Sequence, residues 1–399
     1  MKLGERLLAA TVRMQVSSEE RRMGTRVERE SQSHRPFGAG PVAQDFAERR
    51  PSESPHAELQ LATDQVHAWS AMLGGAIWLT AVAWLRPALT ERRWAEALLM
   101  LAVLVLFPLA MRLVQRDEHG AAERRVERWL AQVIAWLQLP SGLLLGVALL
   151  GEVGGISTTL ALPWLATLTL TAVYGAARLC RRKAWLSAGG CVDLGLVYVV
   201  VGGGWAVLDR AGARPLDFEP VIVLLTAIHF HYAGFLLPLL TGLAIADASR
   251  WWQRIVAAGV LAGVPLVAVG ITSTQLGFTP LAECGAATLL AVGAATVGGI
   301  YLRWAADKRW PGSARVLWGI AGATLLASMG LAALYGARAY LPVAWLDIPR
   351  MRALHGTANA LGFALGGLLG WLAAEGRANL QGGHDNFCKL SQVGGRRSR

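Results

Sequence analysis

Residues 94–114 read WAEALLMLAVLVLFPLAMRLV, an almost unbroken apolar run. An α-helix needs about 20 such residues to cross the hydrocarbon core of a bilayer. Nine further runs of this kind predict membrane spans at about 66–85, 129–150, 159–178, 190–208, 219–246, 252–271, 281–302, 315–337 and 351–374. The sequence therefore predicts an all-α, polytopic membrane helix bundle of about ten transmembrane helices.

The composition of the 399 residues supports this fold class. Hydrophobic residues make up 54% of the chain and charged residues only 16%, whereas soluble domains carry about 25% charged residues. The four cysteines are too scattered for a disulfide scaffold or a Cys-x2-Cys metal motif. The sequence contains neither a Walker phosphate loop nor a Gly-x-Ser-x-Gly elbow, so it predicts no catalytic residues and gives no indication of an enzyme.

The distribution of charge predicts the domain organisation and the topology. Residues 1–60 and 376–399 are polar, so we expect disordered tails on either side of one transmembrane domain at 61–375. With the N-terminus inside, roughly four fifths of the 38 Lys and Arg residues fall in the tails and inner loops. Both termini are therefore expected in the cytoplasm (N-in/C-in).

The same bias explains the net charge of +11 without a nucleic-acid partner. Basic residues gather in loops, as the topology demands, and no basic domain with interleaved aromatic residues is found. Heavy use of Arg, Ala and Gly with little Lys is typical of GC-rich bacterial coding. The expected location is the bacterial cytoplasmic (inner) membrane.

Two histidines in the sixth span form the strongest local pattern. Residues 226–235 read TAIHFHYAGF, so that His229, His231 and Tyr232 lie well inside the span. An ionisable side chain inside a membrane helix is expensive, and it indicates a functional site. Because two residues correspond to about 200° of helix rotation, His229 and His231 should face nearly opposite directions. Pro238, which follows, predicts a kink or tilt in this helix.

The tenth span carries a second polar pattern, MRALHGTANALGF at 351–363. His355 and Asn359 are four residues apart and therefore share one helix face. A Gly-x3-Gly-x3-Gly stripe that starts at Gly362 continues this face and permits another helix backbone to approach closely. We therefore expect His355 and Asn359 to point into the bundle rather than at lipid.

These two patterns, TAIHFHYAGF and HGTANALGF, resemble the YndJ-like family of bacterial integral membrane proteins over most of helices 2–10. The resemblance implies a multi-pass bacterial membrane protein, but it implies no activity and carries over no catalytic residue. The HFHY segment also resembles the helix of haem–copper oxidases whose histidines ligate two haems. Oxygen reduction of that type is excluded, because the chain lacks the His-His pair of the copper site.

The sequence leads to one functional hypothesis and leaves two alternatives open. The hypothesis is an intramembrane site for a transition metal or b-type haem, used for electron transfer or sensing. Its proposed metal ligands are His229, His231 and His355, and Asn359 and Tyr232 are further cofactor-binding residues. The alternatives are a small-solute or proton-coupled transporter that uses the same histidines, and a structural membrane subunit.

The expected partners are the lipid bilayer and a small-molecule ligand or metal. A site that combines the sixth and tenth helices requires these helices to lie together, and the sequence does not decide whether they do.

Overall fold

The computed structural model describes residues 55–86, 90–116, 125–245 and 250–380. Of the predicted disordered tails at 1–60 and 376–399, residues 1–54 and 381–399 lie outside these described residues, whereas residues 55–60 and 376–380 are helical. Within the described part of the chain every element is helical, and ten helices are long and apolar enough to cross a membrane. The predicted all-α fold and the number of spans are therefore confirmed.

The ten helices follow the predicted spans closely. They are α1 (Pro55–Leu85), α2 (Glu91–Gln115), α3 (Arg125–Leu150), α4 (Gly155–Arg182), α5 (Ala188–Arg210), α6 (Pro220–Ala244), α7 (Trp251–Gln275), α8 (Leu281–Ala306), α9 (Gly312–Gly336) and α10 (Ile348–Gly376). Most helices pack against their neighbours in the sequence, as α3 to α6 and α7 to α10 do. Helices α2, α6, α8 and α10 begin at the same end of the bundle, which we call the upper end. The topology predicted from charge places this end outside.

Helix α2 lies at the centre of the bundle. In its most apolar stretch 94% of the residues are buried, whereas the corresponding value for α1 is 28%. A helix that is apolar on all sides is suited to burial on all sides. The residues near its middle, such as Leu106, Phe107 and Ala110, are accordingly 1% exposed or less.

Three helices contain π-helical stretches, in which the backbone turn is wider than in an α-helix. These stretches are Ala102–Leu106 in α2, Tyr232–Leu236 in α6, and Met351–Gly356 and Ala358–Leu365 in α10. In α2 and α6 a proline lies two residues after the end of the stretch, at Pro108 and Pro238. Because proline has no N–H to donate, it disrupts the regular hydrogen-bond ladder of the preceding turn. The irregularity predicted at Pro238 is therefore present as a widened turn within a continuous helix.

The glycine stripe of α10 packs against α9, as the sequence predicts. A Cβ atom added at Gly362 would lie 2.5 Å from the Thr324 side chain, and one added at Gly370 would lie 2.6 Å from the Trp318 indole. Only glycine fits at these two positions, and its small size brings the two helices together.

A cluster of charged side chains joins α2, α3 and α5 at the upper end. Arg210 donates to Glu96 at 3.2 Å, to Asp209 at 2.5 Å, and to the carbonyl of Ala148 at the end of α3 at 3.1 Å. Arg92 donates to both carboxylate oxygens of Asp209, at 3.0 and 3.2 Å. Glu96, Asp209 and Arg210 are all less than 5% exposed. Each buried charge therefore has an opposite, hydrogen-bonded charge beside it, which offsets much of the cost of burial.

Candidate functional site

A cavity of about 500 Å³ lies in the upper half of the bundle, between α6, α7, α8, α9 and α10. Its wall is mostly apolar, with Ile228, Leu290, Leu325 and Phe363 among the lining residues. His229 and His355 both lie in this wall. We call this space the histidine cavity. Helices α6 and α10, whose contact the sequence left undecided, therefore meet around it.

His229 lies on α6, two residues before His231, at which the regular α-helical part of this helix ends. Its Nε2 atom is buried and has no hydrogen-bond partner in the structure. The imidazole meets the neighbouring Phe230 ring edge-on, with the ring centroids 5.8 Å apart. Most buried polar atoms are hydrogen-bonded, so a buried nitrogen without a partner, on a residue that lines a cavity, marks His229 as a candidate ligand contact.

His355 is held in one orientation by its neighbours. Its Nδ1 atom lies 2.9 Å from the carbonyl oxygen of Ser328, which can only accept, so Nδ1 carries the proton. Nε2 is then an acceptor in the neutral ring, and Asn359 Nδ2 approaches it at 3.2 Å. Asn359 Oδ1 in turn accepts a hydrogen bond of 2.9 Å from the hydroxyl of Ser328. The predicted shared face of His355 and Asn359 is therefore present, and both side chains line the histidine cavity.

The structure does not bring His231 to the histidine cavity. Its Nδ1 atom donates to the carbonyl of Ala227 at 2.8 Å, and its Nε2 atom accepts from the indole N–H of Trp164 at 3.1 Å. The ring also stacks on Trp164 and fills the space that Gly202 leaves on α5. Both ring nitrogens are thus used within the protein, and the predicted opposite orientation of His229 and His231 is confirmed.

Tyr232 begins the π-helical stretch of α6 and contributes its ring to the cavity wall. Its hydroxyl donates a 2.8 Å hydrogen bond to the carbonyl of Leu98 on α2. This bond connects the irregular part of α6 to the central helix. The hydroxyl is therefore already engaged, and Tyr232 presents mainly an apolar surface to the cavity.

Two ion pairs lie at the upper rim of the histidine cavity. Arg338 donates to Glu283 at 2.6 Å, and its guanidinium lies 4.4 Å from the centre of the Tyr335 ring. Burial lowers the pKa of Arg338, but the hydrogen bond to Glu283 raises it, and the net direction is upward. The second pair joins Arg352, the fifth residue of α10, to Glu91 of α2.

No group of three or more His, Cys, Asp or Glu side chains in the described ranges is placed to hold a metal ion. The histidine cavity offers two imidazoles, His229 and His355, to a metal or haem. A zinc ion usually takes three or four protein ligands, whereas a haem iron takes two axial ligands. Two imidazoles are fewer than a zinc site uses, and Nε2 of His355 is already in contact with Asn359 Nδ2.

Sequence reasoning missed the charged rim of the cavity. Glu283 and Arg338 are 55 residues apart, and Arg352 and Glu91 are 261 apart, so no local spacing connects them. The one available signal is their position, because all four lie at the ends of predicted spans on the side that is poor in basic residues.

Comparison with known proteins places these features within a described family. The family model of YndJ-like proteins matches residues 97–363, which include His229, His355 and Asn359. A curated relative, the "Uncharacterized membrane protein YndJ" of Bacillus subtilis (strain 168), is 30% identical over 283 residues. The match covers 69% of this chain and 48% of the relative, so the chain spans about half the length of that protein. No solved structure matches the chain.

Proposed function

This chain belongs to the YndJ-like family of membrane proteins, and we propose that it binds a small amphipathic molecule in the histidine cavity. The observation that carries the proposal is His229, which lines the cavity and whose Nε2 atom is buried without a hydrogen-bond partner. A bound molecule with a polar group near this atom would supply the missing partner.

The size and lining of the cavity support this function. Ligand sites in proteins have volumes of roughly 300–1,000 Å³ and are mostly apolar, with a few polar groups that fix orientation. The histidine cavity has about 500 Å³, and its central polar groups are His229, His355 and Asn359. Leaving a buried nitrogen unsatisfied costs about 1–3 kcal/mol, so a hydrogen bond to the ligand is an effective source of affinity.

A b-type haem is one member of this ligand class: His229 and His355 would hold it, provided that Asn359 Nδ2 released Nε2 of His355, and the haem would supply electron transfer or sensing. The hydrogen bond from His355 Nδ1 to the Ser328 carbonyl is an arrangement that commonly orients a histidine toward iron or another metal. His231 has no part in this proposal beyond the support of α6, because its two nitrogens are already bonded.

The test uses a pair of variants on α7. Ala268→Phe places a large side chain in the cavity wall, and Ala262→Phe makes the same change at an exposed position of the same helix that does not line the cavity. Decanoate, decyl phosphate, decanol and decylammonium serve as probes, and native mass spectrometry of the detergent-purified full chain counts bound molecules. The reduced-minus-oxidised visible spectrum of the same sample tests for haem.

We expect at least one probe, or a haem, to bind the wild-type chain and Ala262→Phe but not Ala268→Phe. The variants His229→Ala and His355→Ala should each weaken that binding. If Ala268→Phe and the wild-type chain retain the same molecules equally well, the proposal is refuted.

Transport is a second candidate function, favoured by the π-helical stretches of α6 and α10, which contact each other and both contribute residues to the cavity wall. Transporters often build their substrate sites from irregular membrane helices. A proton-coupled transporter should acidify pyranine-loaded liposomes faster than its His229→Gln variant under an imposed pH gradient. Equal rates in the two proteins would remove this candidate, and the absence of both binding and flux would favour a structural subunit.

A further inference from the structure

We infer that the ligand of the histidine cavity is an amphipathic anion, whose carboxylate or phosphate group bonds to Arg338 and Arg352 at the upper rim. Its apolar part extends down toward His229 and His355. This inference rests on the proposed function and specifies the chemistry of the ligand for the same site.

Arg352 is a buried cation with hydrogen-bonding capacity to spare. The residue is 8% exposed and lines the histidine cavity, but its ion-pair partner Glu91 lies outside the cavity wall with a side chain that is 62% exposed. A guanidinium carries N–H donors on all three nitrogens. Within the described residues Arg352 uses only Nη2, toward Glu91. The remaining donors are available to a group inside the cavity.

Arg338 supplies the second guanidinium. Its Nη1 atom donates to Glu283 and, at 3.0 Å, to the carbonyl of Tyr335, while its Nε and Nη2 atoms make no protein hydrogen bond in the described part of the chain. Two such groups at one rim are suited to an anion, because guanidinium binds planar carboxylates and phosphates through paired hydrogen bonds.

The charge balance of the cavity wall favours an anion over a cation. The charged residues that line it, among those described, are Arg338, Arg352 and Glu283, which give a net charge of +1. A ligand ammonium would have to displace Arg338 from Glu283 and leave two cations close together. An anion adds a partner to both arginines and leaves the ion pair with Glu283 in place.

The position of the polar groups implies an elongated ligand. Arg352 is the fifth residue of α10, near its upper end. His229 lies nine residues below Pro220, which corresponds to a depth of about 14 Å at 1.5 Å per residue. A chain of about ten carbon atoms has roughly this length, and it would lie along the apolar wall between the two levels.

The experiment measures the affinities of the four decyl probes for the full-length chain in a neutral maltoside detergent. The tails are equal, so differences report on the head group. Decanoate and decyl phosphate should bind about 10-fold more tightly than decanol, as expected for charge-assisted hydrogen bonds. Tighter binding of decylammonium than of decanoate would overturn the inference.

Three variants test the arginines. Arg338→Gln and Arg352→Gln should each weaken decanoate binding about 10-fold and leave decanol binding unchanged. Glu283→Gln should strengthen decanoate binding, because Arg338 then has no competing carboxylate. Arg350→Gln is the matched control, since Arg350 lies two residues from Arg352, pairs with Asp347 and does not line the cavity. Wild-type decanoate affinity in both arginine variants would refute the assignment.

A further variant separates ligand binding from structural support. Glu91→Gln breaks the same ion pair as Arg352→Gln but keeps the guanidinium in the cavity wall. We expect it to retain decanoate binding, or to increase it. Equal losses in folded Glu91→Gln and Arg352→Gln proteins would show that the pair serves only the fold, which contradicts the inference.

The outcomes keep this inference distinct from the proposed function. Equal affinities for all four probes, abolished by Ala268→Phe, would support the cavity as a ligand site and overturn its selectivity for anions. If Ala268→Phe weakens the binding of none of the probes, both the inference and the proposed function are refuted. Nanodiscs distinguish the two sources of the anion. If phosphatidylglycerol competes with decanoate for the site, the natural ligand is a lipid head group. If phosphatidylglycerol at the same loading does not compete, the natural ligand is a free amphiphile. Both of these results support an anion site.

Discussion

Two histidines that are two residues apart should respond oppositely to the same substitution. We predict that His229→Leu raises the free energy of unfolding of the ligand-free protein by about 1 kcal/mol, while His231→Leu lowers it by about 1–3 kcal/mol. The reason lies in their hydrogen bonds. His229 has a buried nitrogen without a partner, and His231 has both ring nitrogens bonded.

The magnitudes follow from these contacts. An unsatisfied buried polar atom costs about 1–3 kcal/mol, and leucine at position 229 removes that cost while keeping a similar volume. At position 231 leucine removes two hydrogen bonds, and such bonds in membrane proteins contribute about 0.6 kcal/mol on average and about 1.7 at most. It also leaves the indole N–H of Trp164, a fully buried residue, without an acceptor.

The assay is reversible unfolding of the purified protein by sodium dodecyl sulfate in mixed micelles, followed by tryptophan fluorescence. His355→Leu is a useful third variant, because it removes the bond to the Ser328 carbonyl and should therefore destabilise the protein. The reasoning is wrong if His229→Leu destabilises by more than about 1 kcal/mol, or if His231→Leu is neutral. His229→Leu should also lose ligand binding, so stability and function would change in opposite directions.

Three further predictions concern other parts of the fold. Gly370→Val should lower the thermal unfolding temperature markedly, because the new Cβ would lie 2.6 Å from a buried indole, and overpacking costs about 1–3 kcal/mol; an unchanged temperature would contradict the tight α9–α10 contact. Glu96→Gln should destabilise by about 1–3 kcal/mol, since buried Arg210 loses one of its two charged partners and keeps Asp209, and urea or detergent unfolding measures this. The hydrogen bond from Arg309 lowers the pKa of Asp307, so this pair stabilises the protein above the ordinary aspartate pKa and not in stronger acid. Asp307→Asn should therefore lower the free energy of unfolding by under about 1 kcal/mol at pH 7, and it should leave that free energy unchanged near pH 2.

The ten spans could be predicted from the sequence because the signal is local. A run of about 20 apolar residues specifies a membrane helix without reference to the rest of the chain. The limits of the helices are less visible in this signal. Helix α1 begins at Pro55, several residues before the predicted span, because its polar first turns lie outside the apolar run.

The orientations of the histidines were also predictable, but their surroundings were not. Helix geometry alone placed His229 and His231 on opposite faces, and His355 and Asn359 on one face. The partners that decide their roles come from distant parts of the chain. Trp164 lies 67 residues from His231, and this indole makes His231 a structural residue, while His229 lines the cavity.

The arginines at the upper end show what the charge pattern can and cannot reveal. The predicted topology accounts for most of the arginines, and only about a quarter of them fall on the predicted outer side. An arginine on that side opposes the bias and therefore needs another reason. For Arg92 and Arg210 the reason is the buried cluster with Glu96 and Asp209, in which the carboxylates lie in the protein interior.

Arg352 has only an exposed carboxylate as its partner, although the guanidinium itself is buried at a cavity. A buried cation is costly unless it is fully paired. The incomplete pairing of the Arg352 guanidinium is therefore an argument that an anionic ligand completes it.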